Sequence, residues 1–449
     1  MCGIAGHFRS HGAAAPLDLR LIAHRGPDAA GEWSSADGRF WLGNTRLAIL
    51  DPSPAGAQPM HDPATGNVLV VNGEIYNHLA LRAELPGVAW RGTSDTETLL
   101  HAYARWGREL LVRLKGMFAF AIYDAARKEL FLARDRLGIK PLYFVADADG
   151  LRFGSETRLL TEQPEISSGA VAAYLQWGAC PENRLLFDGL EALLAGHAMT
   201  INRDGRRETW RWWPAQTRFN SPNENAPAKV RALLETAVEQ HLLADVPVAS
   251  FLSGGIDSSI ITALAAQKMA RKLETFSVGF DLAEFDESAI ALEVAERFGT
   301  KHEQIRLSEE EVLESVTEAV ARLDLPSADA INTYIVSRAV ARRGVKVALS
   351  GLGGDELFGG YPSFRDVPRL QLLARLPTAL RRLVGGARLA DLPRTTDAAT
   401  LAQWRRRFFT DAQLAEAGLP NKPTLLPQQV ELQDDFARIS WAELTGYMR

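Results

Sequence analysis

The sequence has 449 residues, of which 46% are hydrophobic and 23% charged, as in an ordinary globular protein. That length allows two domains, each with its own hydrophobic core. The 50 Lys and Arg residues against 55 Asp and Glu give a net charge of −5, which excludes an overall nucleic-acid-binding character. No apolar run could span a bilayer and no signal-peptide pattern opens the chain. Two cysteines cannot form a disulfide framework, so we expect a cytoplasmic protein.

Cys2 follows the initiator methionine and becomes the N-terminal residue once Met1 is removed. It then carries both a thiol and an α-amino group, whose pKa is ordinarily about 7.7–8.0. Such an amine can take the proton of the thiol and so activate it as a nucleophile. The position of Cys2 after the initiator methionine does not by itself distinguish a catalytic nucleophile from a residue without a catalytic role.

Strand and helix patterns in the N-terminal half predict sheets with helices packed on them. A predicted strand from residue 68 runs into an Asn72-Gly73 turn, and another over residues 43–51 has Arg46 near its start. Ser94 and Glu97 form a start signal for a helix from about residue 96 to 106. Further strands are predicted at 117–123, 129–133 and 141–145, with polar connections that favour antiparallel pairing.

The order and spacing of these motifs resemble the class II glutamine amidotransferase domain. Besides Cys2 and the segment around Asn72, the resemblance rests on His24-Arg25-Gly26-Pro27-Asp28, on residues 134–143 and on Phe153-Gly154-Ser155-Glu156. It covers most of residues 1 to about 160. It implies an α+β N-terminal-nucleophile fold of αββα type.

This resemblance implies that Cys2 attacks the side-chain amide of glutamine. Asn72 and the backbone N–H of Gly73 would then form the oxyanion hole. Read from the residues alone, Asn72-Gly73 is also compatible with nothing more than a type I′ hairpin turn.

The resemblance also implies the residues that hold the amino-acid end of glutamine. Arg46 would bind the α-carboxylate, because a forked guanidinium suits a carboxylate. Glu74 and Asp95 would bind the α-ammonium group. A helix cap is the alternative role for Asp95.

A turn-rich segment after the Trp210-Arg-Trp-Trp213 cluster predicts the domain boundary at about residue 220. Residues 1–220 would be the glutaminase domain with its linker, and residues 221–449 the second domain. The tryptophans are interpreted as a domain-interface core rather than a stacking platform for bases.

Ser253-Gly254-Gly255-Ile-Asp257-Ser258 stands between a short buried strand and a helix in the second half. The bare backbone there would expose N–H groups at the positive end of the helix dipole, which makes an anion site. Asp257 is placed to hold a divalent cation beside phosphates. The loop lacks the Gly-Lys-Ser/Thr of a Walker A motif.

Alternating strand and helix patterns after this loop predict a doubly wound parallel sheet, with ligands at the carboxyl ends of its strands. A second glycine-rich loop, residues 350–361, follows a predicted strand at 345–349. The two loops would meet there, so that Asp257 and Asp355 share a magnesium ion bound to pyrophosphate.

The first loop resembles the pyrophosphate-loop ATPases, and the whole chain resembles the glutamine-hydrolysing asparagine synthetase family. This implies an α/β doubly wound ATP-pyrophosphatase domain after the glutaminase domain. The implied reaction is adenylation of an aspartate carboxylate by ATP, which yields AMP and pyrophosphate, followed by attack of ammonia delivered through an internal tunnel. The implied ATP-binding residues are Leu252, Ser253, Gly254, Gly255, Asp257, Ser258, Val278, Ser350 and Gly351, with Asp257 and Asp355 binding Mg²⁺.

Two departures from the family bear on the second domain. Several members have Glu where this chain has Leu352, a role that is vacant here or taken by a neighbour such as Glu356. Members also continue past the position of Arg449, so we expect a shortened C-terminus. The arginine-rich stretch from Arg365 to Arg407 is interpreted as a solvated face of amphipathic helices, and Cys180 as a small buried or loop residue.

Two alternatives to asparagine synthesis stay open. The chain could act on another carboxylate acceptor, such as a secondary metabolite, a peptide or a surface sugar, or retain the fold as a non-catalytic scaffold. Intact loops and an intact Cys2 favour amide transfer. We expect small-molecule partners, namely glutamine, ATP and a carboxylate, with no nucleic acid or membrane; a homodimer is left open.

Overall fold

The computed structural model describes residues 1–161, 165–182, 185–214, 225–280, 288–420, 432 and 434–446. The chain separates into two compact units. Unit 1 comprises Met1–Ala170 and Glu182–Ala215, and unit 2 comprises Val171–Pro181 and Gln216–Met448. The boundary predicted at residue 220 lies outside the described residues and stays a prediction. In the described part of the chain, no helix is long and apolar enough to cross a membrane.

Unit 1 contains twelve of the described strands, all paired antiparallel. They are β1 (Gly3–Arg9), β2 (Ala29–Ser34), β3 (Phe40–Arg46), β4 (Met60–His61), β5 (Val68–Ile75), β6 (Gly116–Asp124), β7 (Glu129–Arg134), β8 (Tyr143–Ala146), β9 (Gly150–Gly154), β10 (Glu191–Ala192), β11 (His197–Asn202) and β12 (Arg207–Arg211). They form two six-stranded sheets, in the orders β10-β8-β9-β1-β3-β2 and β12-β11-β7-β6-β5-β4. The antiparallel pairing that the sequence predicts is therefore confirmed.

Helical segments cover the outer faces of these sheets. The α-helices of these faces are α1 (His78–Ala83), α2 (Asp95–Trp106) and α3 (Leu110–Arg113), whereas α4 (Ser168–Trp177) begins in unit 1 and has its residues from Val171 onward in unit 2. Leu81, Leu99 and Leu110 of the first three helices pack with Leu69 and Val71 on the second sheet. On the first sheet, a 3₁₀ segment over Leu19–Arg25 buries Leu19 and Ile22. This layering confirms the N-terminal-nucleophile fold class.

The space between the two sheets is filled by the inward-facing residues of alternating strands. Ile4, Leu42, Val68 and Val70 belong to this inner core, whereas Leu69 belongs to the outer one. Because successive side chains of a strand point to opposite faces, residues two positions further along continue the inner face. At one end of the sandwich the residues that continue this inner face are polar, so their side chains point between the two sheets.

Unit 2 contains a four-stranded parallel sheet of order β15-β14-β13-β16. The strands are β13 (Val248–Phe251), β14 (Glu274–Phe280), β15 (Lys301–Leu307) and β16 (Val347–Leu349). Its helices are α5 (Ala226–His241), α6 (Ile256–Lys268), α7 (Ser288–Phe298), α8 (Glu309–Arg322), α9 (Ala330–Ala341), α10 (Gly354–Phe358), α11 (Pro362–Ala374), α12 (Thr378–Ala390), α13 (Ala398–Arg406), α14 (Asp411–Glu416) and α15 (Asp435–Gly446).

Adjacent residues of β13 lie in two different cores. Val248 packs with Val238 and Leu264 of α5 and α6, while Ala249 packs with Ile335 and Val340 of α9. Helices therefore cover both faces of the sheet, and the predicted doubly wound arrangement is confirmed. Such a sheet carries its ligand sites beyond the carboxyl ends of its strands.

The arginine-rich stretch forms ion pairs inside a helical layer. Arg405 and Arg407 contact Asp366 and Asp391 at 3.0 and 3.3 Å, and Arg406 pairs with Glu443. The helices α11, α13 and α15 share an apolar core that includes Val367, Leu401 and Ile439. The helices are amphipathic, as predicted, but these three arginines join neighbouring helices rather than only facing solvent.

The tryptophan cluster belongs to the core of unit 1. Trp210 stacks on Phe131 with ring centroids 6.0 Å apart, and Trp212 stacks on Phe118 at 6.2 Å. Trp212 also donates from Nε1 to the carbonyl of Arg134 at 3.1 Å. These contacts place the tryptophans in and against the core on the second sheet, because that sheet supplies the apolar surface. The role at a domain interface stays a prediction.

Replacing a core residue of the sandwich tests its contribution to stability. Leu42 is 0% exposed between the two sheets. We expect Leu42→Ala to lower the free energy of unfolding by about 2–5 kcal/mol, because it removes buried methyl groups and leaves a cavity. Urea denaturation measures this loss. Leu79→Ala, at a 59% exposed position of α1, is the control and should change stability by less than about 0.5 kcal/mol; equal losses in both variants would contradict the assignment of the core.

Candidate functional site

The inner face of the unit 1 sandwich changes from apolar to polar at one end. Continuing the alternation of Ile4, Leu42 and Val70 places Cys2, Asn44, Arg46, Asn72 and Glu74 on that face. The same strands that build the core therefore also position the polar residues. The structure groups the predicted glutamine-site residues at this end of unit 1.

Cys2 lies immediately before β1 and beside the residue that follows β3. The N–H of Leu47 donates to Cys2 Sγ at 3.4 Å, and Sγ lies 3.7 Å from the Leu47 carbonyl. Burial, with the charge of Asp95, raises the pKa of the Cys2 thiol, while the Leu47 contact, the Met1 amine and Arg46 act in the opposite direction. The thiol is therefore held neutral and needs a base before it can react.

Asn72 and Gly73 lie inside β5, where they pair with Ala119 and Phe118. The turn expected at this point is wrong, because the ladder to β6 continues to Ile75. Asn72 is 0% exposed, and among the described residues neither its Oδ1 nor its Nδ2 has a hydrogen-bond partner. A buried amide without partners is costly unless a ligand completes its bonding. Asn72 is thus suited to donate to a developing oxyanion.

Arg46 is the last residue of β3, not the start of a strand as expected. Its guanidinium donates to the carbonyls of Leu50, Asp51 and Ser53 at 3.2, 2.5 and 3.2 Å. These bonds hold the segment that follows β3 around the guanidinium. A role in binding a carboxylate stays a prediction.

Glu74 and Asp95 place two carboxyl groups close together. Burial and the charge of Asp95 raise the pKa of Glu74 to about 7. Burial also raises the pKa of Asp95, whose Oδ2 accepts from the N–H of Ile75 at 2.8 Å. The cap of α2 is Ser94, which accepts from the N–H of Thr96, so Asp95 is not the capping residue. A half-buried and a buried carboxyl group, both with raised pKa values, are suited to bind a cation.

Three charged residues at this site have no role in the sequence-based prediction. Arg25 donates from Nε to the Cys2 carbonyl at 3.0 Å and from Nη1 to Glu156 at 3.0 Å. Lys140 is 5% exposed and lies with its Nζ 3.1 Å from Met1 Sδ. Arg25, Glu156 and Lys140 all lie in motifs on which the family resemblance rests. That resemblance was the signal in the sequence that could have identified them as site residues. These three charged side chains can act on the Cys2 site because the fold brings their motifs, which are far apart in the sequence, close to Cys2.

The first glycine-rich loop of unit 2 follows β13 and leads into α6. Ser253 and Ser258 hydroxyl oxygens lie 3.0 Å apart, and the Ser258 hydroxyl donates to the Gly255 carbonyl at 3.1 Å. Gly254 has a φ of 86°, a left-handed conformation that favours glycine. Gly255 is the N-cap of α6 and has no side chain to satisfy the first helical N–H groups. The loop therefore has the features of an anion site at a helix N-terminus.

The second glycine-rich loop meets the first because β16 pairs directly with β13. A side-chain carbon at Gly354 would lie 2.3 Å from Asp257 Cγ, and one at Gly351 would lie 2.8 Å from the Ser258 nitrogen. Glycine is thus needed at both positions for this approach. Burial, then the charges of Asp355 and Glu356, raise the pKa of Asp257.

This crowding of carboxylates suits a divalent cation, although no described group of three or more His, Cys, Asp or Glu residues has the geometry of a metal site. Asp257 and Asp355 are the pair that fits a cation brought in by a ligand. Mg²⁺ commonly binds through one or two carboxylates together with the phosphates of a substrate.

The other predicted ATP-site residues lie on the same sheet. Leu252 is 1% exposed, and its N–H donates to the Phe276 carbonyl of β14 at 2.8 Å. Val278 is in β14, and Ser350 directly follows β16 and accepts from the N–H of Leu352 at 3.2 Å. Their contacts with a nucleotide stay predictions.

Leu352 and Glu356 occupy contrasting environments in the second loop. Leu352 is 71% exposed, whereas Glu356 is 1% exposed and accepts from the Tyr361 hydroxyl at 2.8 Å. Among the described residues, the second carboxylate oxygen of Glu356, Oε2, has no hydrogen-bond partner. Whether Glu356 takes the role of the family's Glu stays a prediction.

Comparison with known proteins assigns each half of the chain to a family model. Residues 1–213 match the family model of the glutamine amidotransferase domain, and residues 229–449 match that of asparagine synthase. The chain is 36% identical to asparagine synthetase [glutamine-hydrolyzing] 1 of Bacillus subtilis, over 86% of this chain and 62% of the relative. It is 34% identical to asparagine synthetase B of Escherichia coli, over 83% of this chain and 67% of the relative.

A relative of comparable similarity has a different kind of name. The chain is 32% identical to amidase chry2 of Gibberella zeae, over 81% of this chain and 60% of the relative. The chain thus spans about two thirds or less of the length of these relatives. The two synthetase names specify asparagine, whereas the amidase name specifies no product.

The raised pKa of Glu74 leads to a pH dependence that can be measured. Only the ionised carboxylate binds a substrate ammonium group well, and Glu74 becomes protonated as the pH falls through about 7. We therefore expect the KM for glutamine to be constant at pH 8 and above and to rise about tenfold per unit below the pKa. Steady-state glutaminase assays from pH 5.5 to 9 measure it.

Two substitutions serve as the comparison for this pH profile. Glu74→Gln should raise KM at every pH and remove its pH dependence, while Glu84→Gln, at an exposed position of unit 1, should keep the wild-type profile. An unchanged KM in Glu74→Gln would remove Glu74 from the ammonium site.

Proposed function

Because the chain belongs to the glutamine-hydrolysing asparagine synthetase family, we propose that it transfers the amide nitrogen of glutamine to a carboxylate at the expense of ATP. Aspartate is the acceptor that the family name indicates, and asparagine the product. The observation that carries the proposal is the Cys2 thiol in the same polar end of unit 1 as the buried, unpartnered amide of Asn72. That pairing of a nucleophile with a vacant hydrogen-bond donor suits attack on an amide carbonyl.

In the glutaminase step, the thiol of Cys2 attacks the side-chain carbonyl carbon of glutamine. The α-amino group exposed by loss of Met1 takes the thiol proton and later gives it to the leaving ammonia. Asn72 Nδ2 and the Gly73 N–H would donate to the oxyanion. Water then hydrolyses the thioester, which releases glutamate and restores the thiol.

In the synthetase step, an oxygen of the acceptor carboxylate attacks the α-phosphorus of ATP and pyrophosphate leaves. Ammonia then attacks the activated carbonyl carbon and displaces AMP. The backbone around Gly254 and Gly255, with the Ser253 and Ser258 hydroxyls, would bind the pyrophosphate, because this loop presents donors at the start of α6. A carboxylate is inert to ammonia until it carries such a leaving group.

Asp257 and Asp355 would hold the Mg²⁺ that accompanies ATP. Its charge would neutralise the pyrophosphate oxygens. The raised pKa of Asp257 supports this assignment, since two neighbouring carboxylates are stabilised when a cation lies between them.

A second candidate is the amidation of a carboxylate other than aspartate. It is favoured by the exposed Leu352, which can neither bind an ammonium group nor transfer a proton at the mouth of the second loop. The amidase name of one relative points the same way. An acceptor screen with ATP and glutamine, following AMP and pyrophosphate, distinguishes the two candidates.

Replacing the nucleophile tests the proposal. We expect Cys2→Ala to abolish glutamine hydrolysis, because Cys2 is the cysteine that carries an α-amino group beside its thiol once Met1 is removed, whereas Cys180 is buried within the chain. Amide synthesis with added ammonium chloride should persist. Glutamate release and AMP formation measure the two activities, and Cys180→Ala is the control. Wild-type glutamine hydrolysis by Cys2→Ala would refute the nucleophile assignment.

Replacing either loop aspartate separates the two activities in the other direction. We expect Asp257→Asn and Asp355→Asn to lower acceptor-dependent ATP–pyrophosphate exchange at least about a hundredfold, because each removes an anionic oxygen ligand. Glutaminase activity should stay at the wild-type level.

Thermal melting and a matched variant complete this test. Asp257→Asn should not lower the melting temperature, since it removes a repulsion between neighbouring carboxylates. Asp329→Asn, at an exposed position of unit 2, is the control and should keep wild-type exchange. Normal exchange in both folded loop variants would defeat the assignment of the cation site.

A further inference from the structure

We propose that Asp51 is a positioning residue of the glutaminase site, which holds the Arg46 guanidinium in place and so makes the site select amides that carry an α-carboxylate. This inference rests on the proposed glutaminase function and deepens it. Asp51 lies in the segment that follows β3 and is not one of the predicted glutamine-site residues.

The Arg46 guanidinium is held by backbone carbonyls of this segment. Those of Leu50, Asp51 and Ser53 accept from it at 3.2, 2.5 and 3.2 Å. A guanidinium has five N–H groups, so these three bonds leave two for a ligand. The position of Arg46 therefore depends on the conformation of the residues that follow it.

The charge of Arg46 is not neutralised by a neighbouring carboxylate. Arg46 is 7% exposed, and within the described part of the chain no carboxylate oxygen forms an ion pair with it. The similarly buried Arg25 and Arg134 pair with Glu156 and Glu182 at 3.0 and 2.8 Å. Buried charges in proteins are normally paired. An unpaired guanidinium that carbonyls hold in place is suited to bind the carboxylate of a substrate.

The backbone of Asp51 has an unusual conformation. Its φ is 49°, in the left-handed region that few residues other than glycine adopt, although aspartate and asparagine do so more readily than most. In this conformation the Asp51 carbonyl accepts from Arg46 Nη2. Asp51 is itself 6% exposed, so its carboxylate needs partners within the protein.

The two oxygens of the Asp51 carboxylate bind two different segments. Oδ1 accepts from the N–H of Ser53 at 3.3 Å and from its hydroxyl group. Oδ2 accepts from the N–H of Thr93 at 2.8 Å. The first bond fixes a residue whose carbonyl holds Arg46, and the second reaches the residues just before Asp95. Asp51 thus connects the carboxylate end of the proposed glutamine site to its ammonium end.

The contacts on both sides of Asp51 are close. A side-chain carbon at Gly56 would lie 2.1 Å from Arg46 Nη2, and one at Gly92 would lie 2.1 Å from Asp51 Oδ2. Glycine is therefore needed at both positions. The second segment is also held from its other side, because Arg82 donates to the carbonyls of Gly92 and Ser94 at 2.9 and 2.8 Å.

A positioning role differs from a purely structural one in what its loss does to selectivity. If Asp51 only stabilised its loop, replacing it would reduce the hydrolysis of every amide alike. If it positions Arg46, replacing it weakens only the binding of substrates that carry an α-carboxylate. Asn72 is held by the pairing of β5 with β6, so the proposed oxyanion site does not depend on Asp51.

The experiment compares glutamine with glutaminamide, in which a neutral amide replaces the α-carboxylate. Ammonia release by the full-length protein without Met1 gives kcat and KM for each substrate. We expect the wild type to prefer glutamine at least about tenfold in kcat/KM, because only glutamine offers Arg46 a charged partner.

Two substitutions of Asp51 remove its bonds in steps. Asp51→Asn keeps the shape and the tolerance of a positive φ, but its amide has one acceptor oxygen instead of two. We expect it to raise the KM for glutamine about tenfold, to keep kcat within about twofold, and to lower the preference for glutamine about tenfold. Asp51→Gly fits the backbone and removes both bonds, so it should lower the preference further.

Asp62→Asn is the matched control. Asp62 is 3% exposed, and its carboxylate accepts from the N–H of Ala64 at 3.0 Å and from the Thr65 hydroxyl at 2.6 Å. It therefore has the same kind of bonds in a turn, but it follows β4, which pairs with the end of β5 opposite to the site. Its replacement should lower the melting temperature and leave the preference for glutamine at the wild-type value.

Each outcome decides the inference. An equal loss of kcat/KM for both substrates in folded Asp51→Asn, or an unchanged preference, would overturn it, as would a lower preference in Asp62→Asn. If neither Asp51 variant folds, Ser53→Ala, which removes one donor to Oδ1, carries the test with an expected fall in preference of about threefold. A wild type that does not hydrolyse glutamine, or that hydrolyses both substrates equally well, would instead refute the proposed function or its use of Arg46, so the two failures are distinguishable.

Discussion

Two packed sheets exclude water only where both inner faces are apolar. In unit 1, the inward-facing residues change from apolar to polar before the strands end. Ile4, Leu42 and Val70 close the interior, and the next inward positions are polar. The alternation that builds the core thereby aims Asn72 and Glu74 into a region that is closed on one side by apolar packing. The proposed glutamine site depends on this arrangement, because rigid strands rather than loops set its geometry.

Burial is the common cause of the unusual titration behaviour at this end of unit 1. It disfavours charge on every group, so it raises the pKa values of the Cys2 thiol and of Glu74 and lowers that of the Met1 amine. A thiol that burial keeps protonated needs a base, which is the role proposed for the α-amine of Cys2 once Met1 is removed. The charge of Lys140 lowers the pKa of Glu74 against the effects of burial and Asp95.

Unit 2 relies on a different geometric rule. Parallel neighbours end at the same edge of a sheet, so the pairing of β13 with β16 brings two loops together that are nearly a hundred residues apart. Glycines at 351 and 354 then allow the second loop to approach Asp257. The close approach creates both the space for a phosphate ligand and the carboxylate repulsion that a cation would relieve.

The sequence by itself determined the antiparallel strands of the first half, the alternating strands and helices of the second and the two glycine loops, because these are local signals. The resemblance carried by its motifs added the N-terminal-nucleophile fold class and the candidate site residues. The sequence did not determine that Asn72 and Gly73 lie within a strand, since an Asn-Gly pair locally favours a turn and the pairing of β5 with β6 overrides that preference. Nor did it reveal Lys140, the anchoring of Arg25 by Glu156 or the ion pairs of Arg405 and Arg407. Those features depend on segments far apart in the chain, and only the tertiary structure decides which charges burial brings into contact.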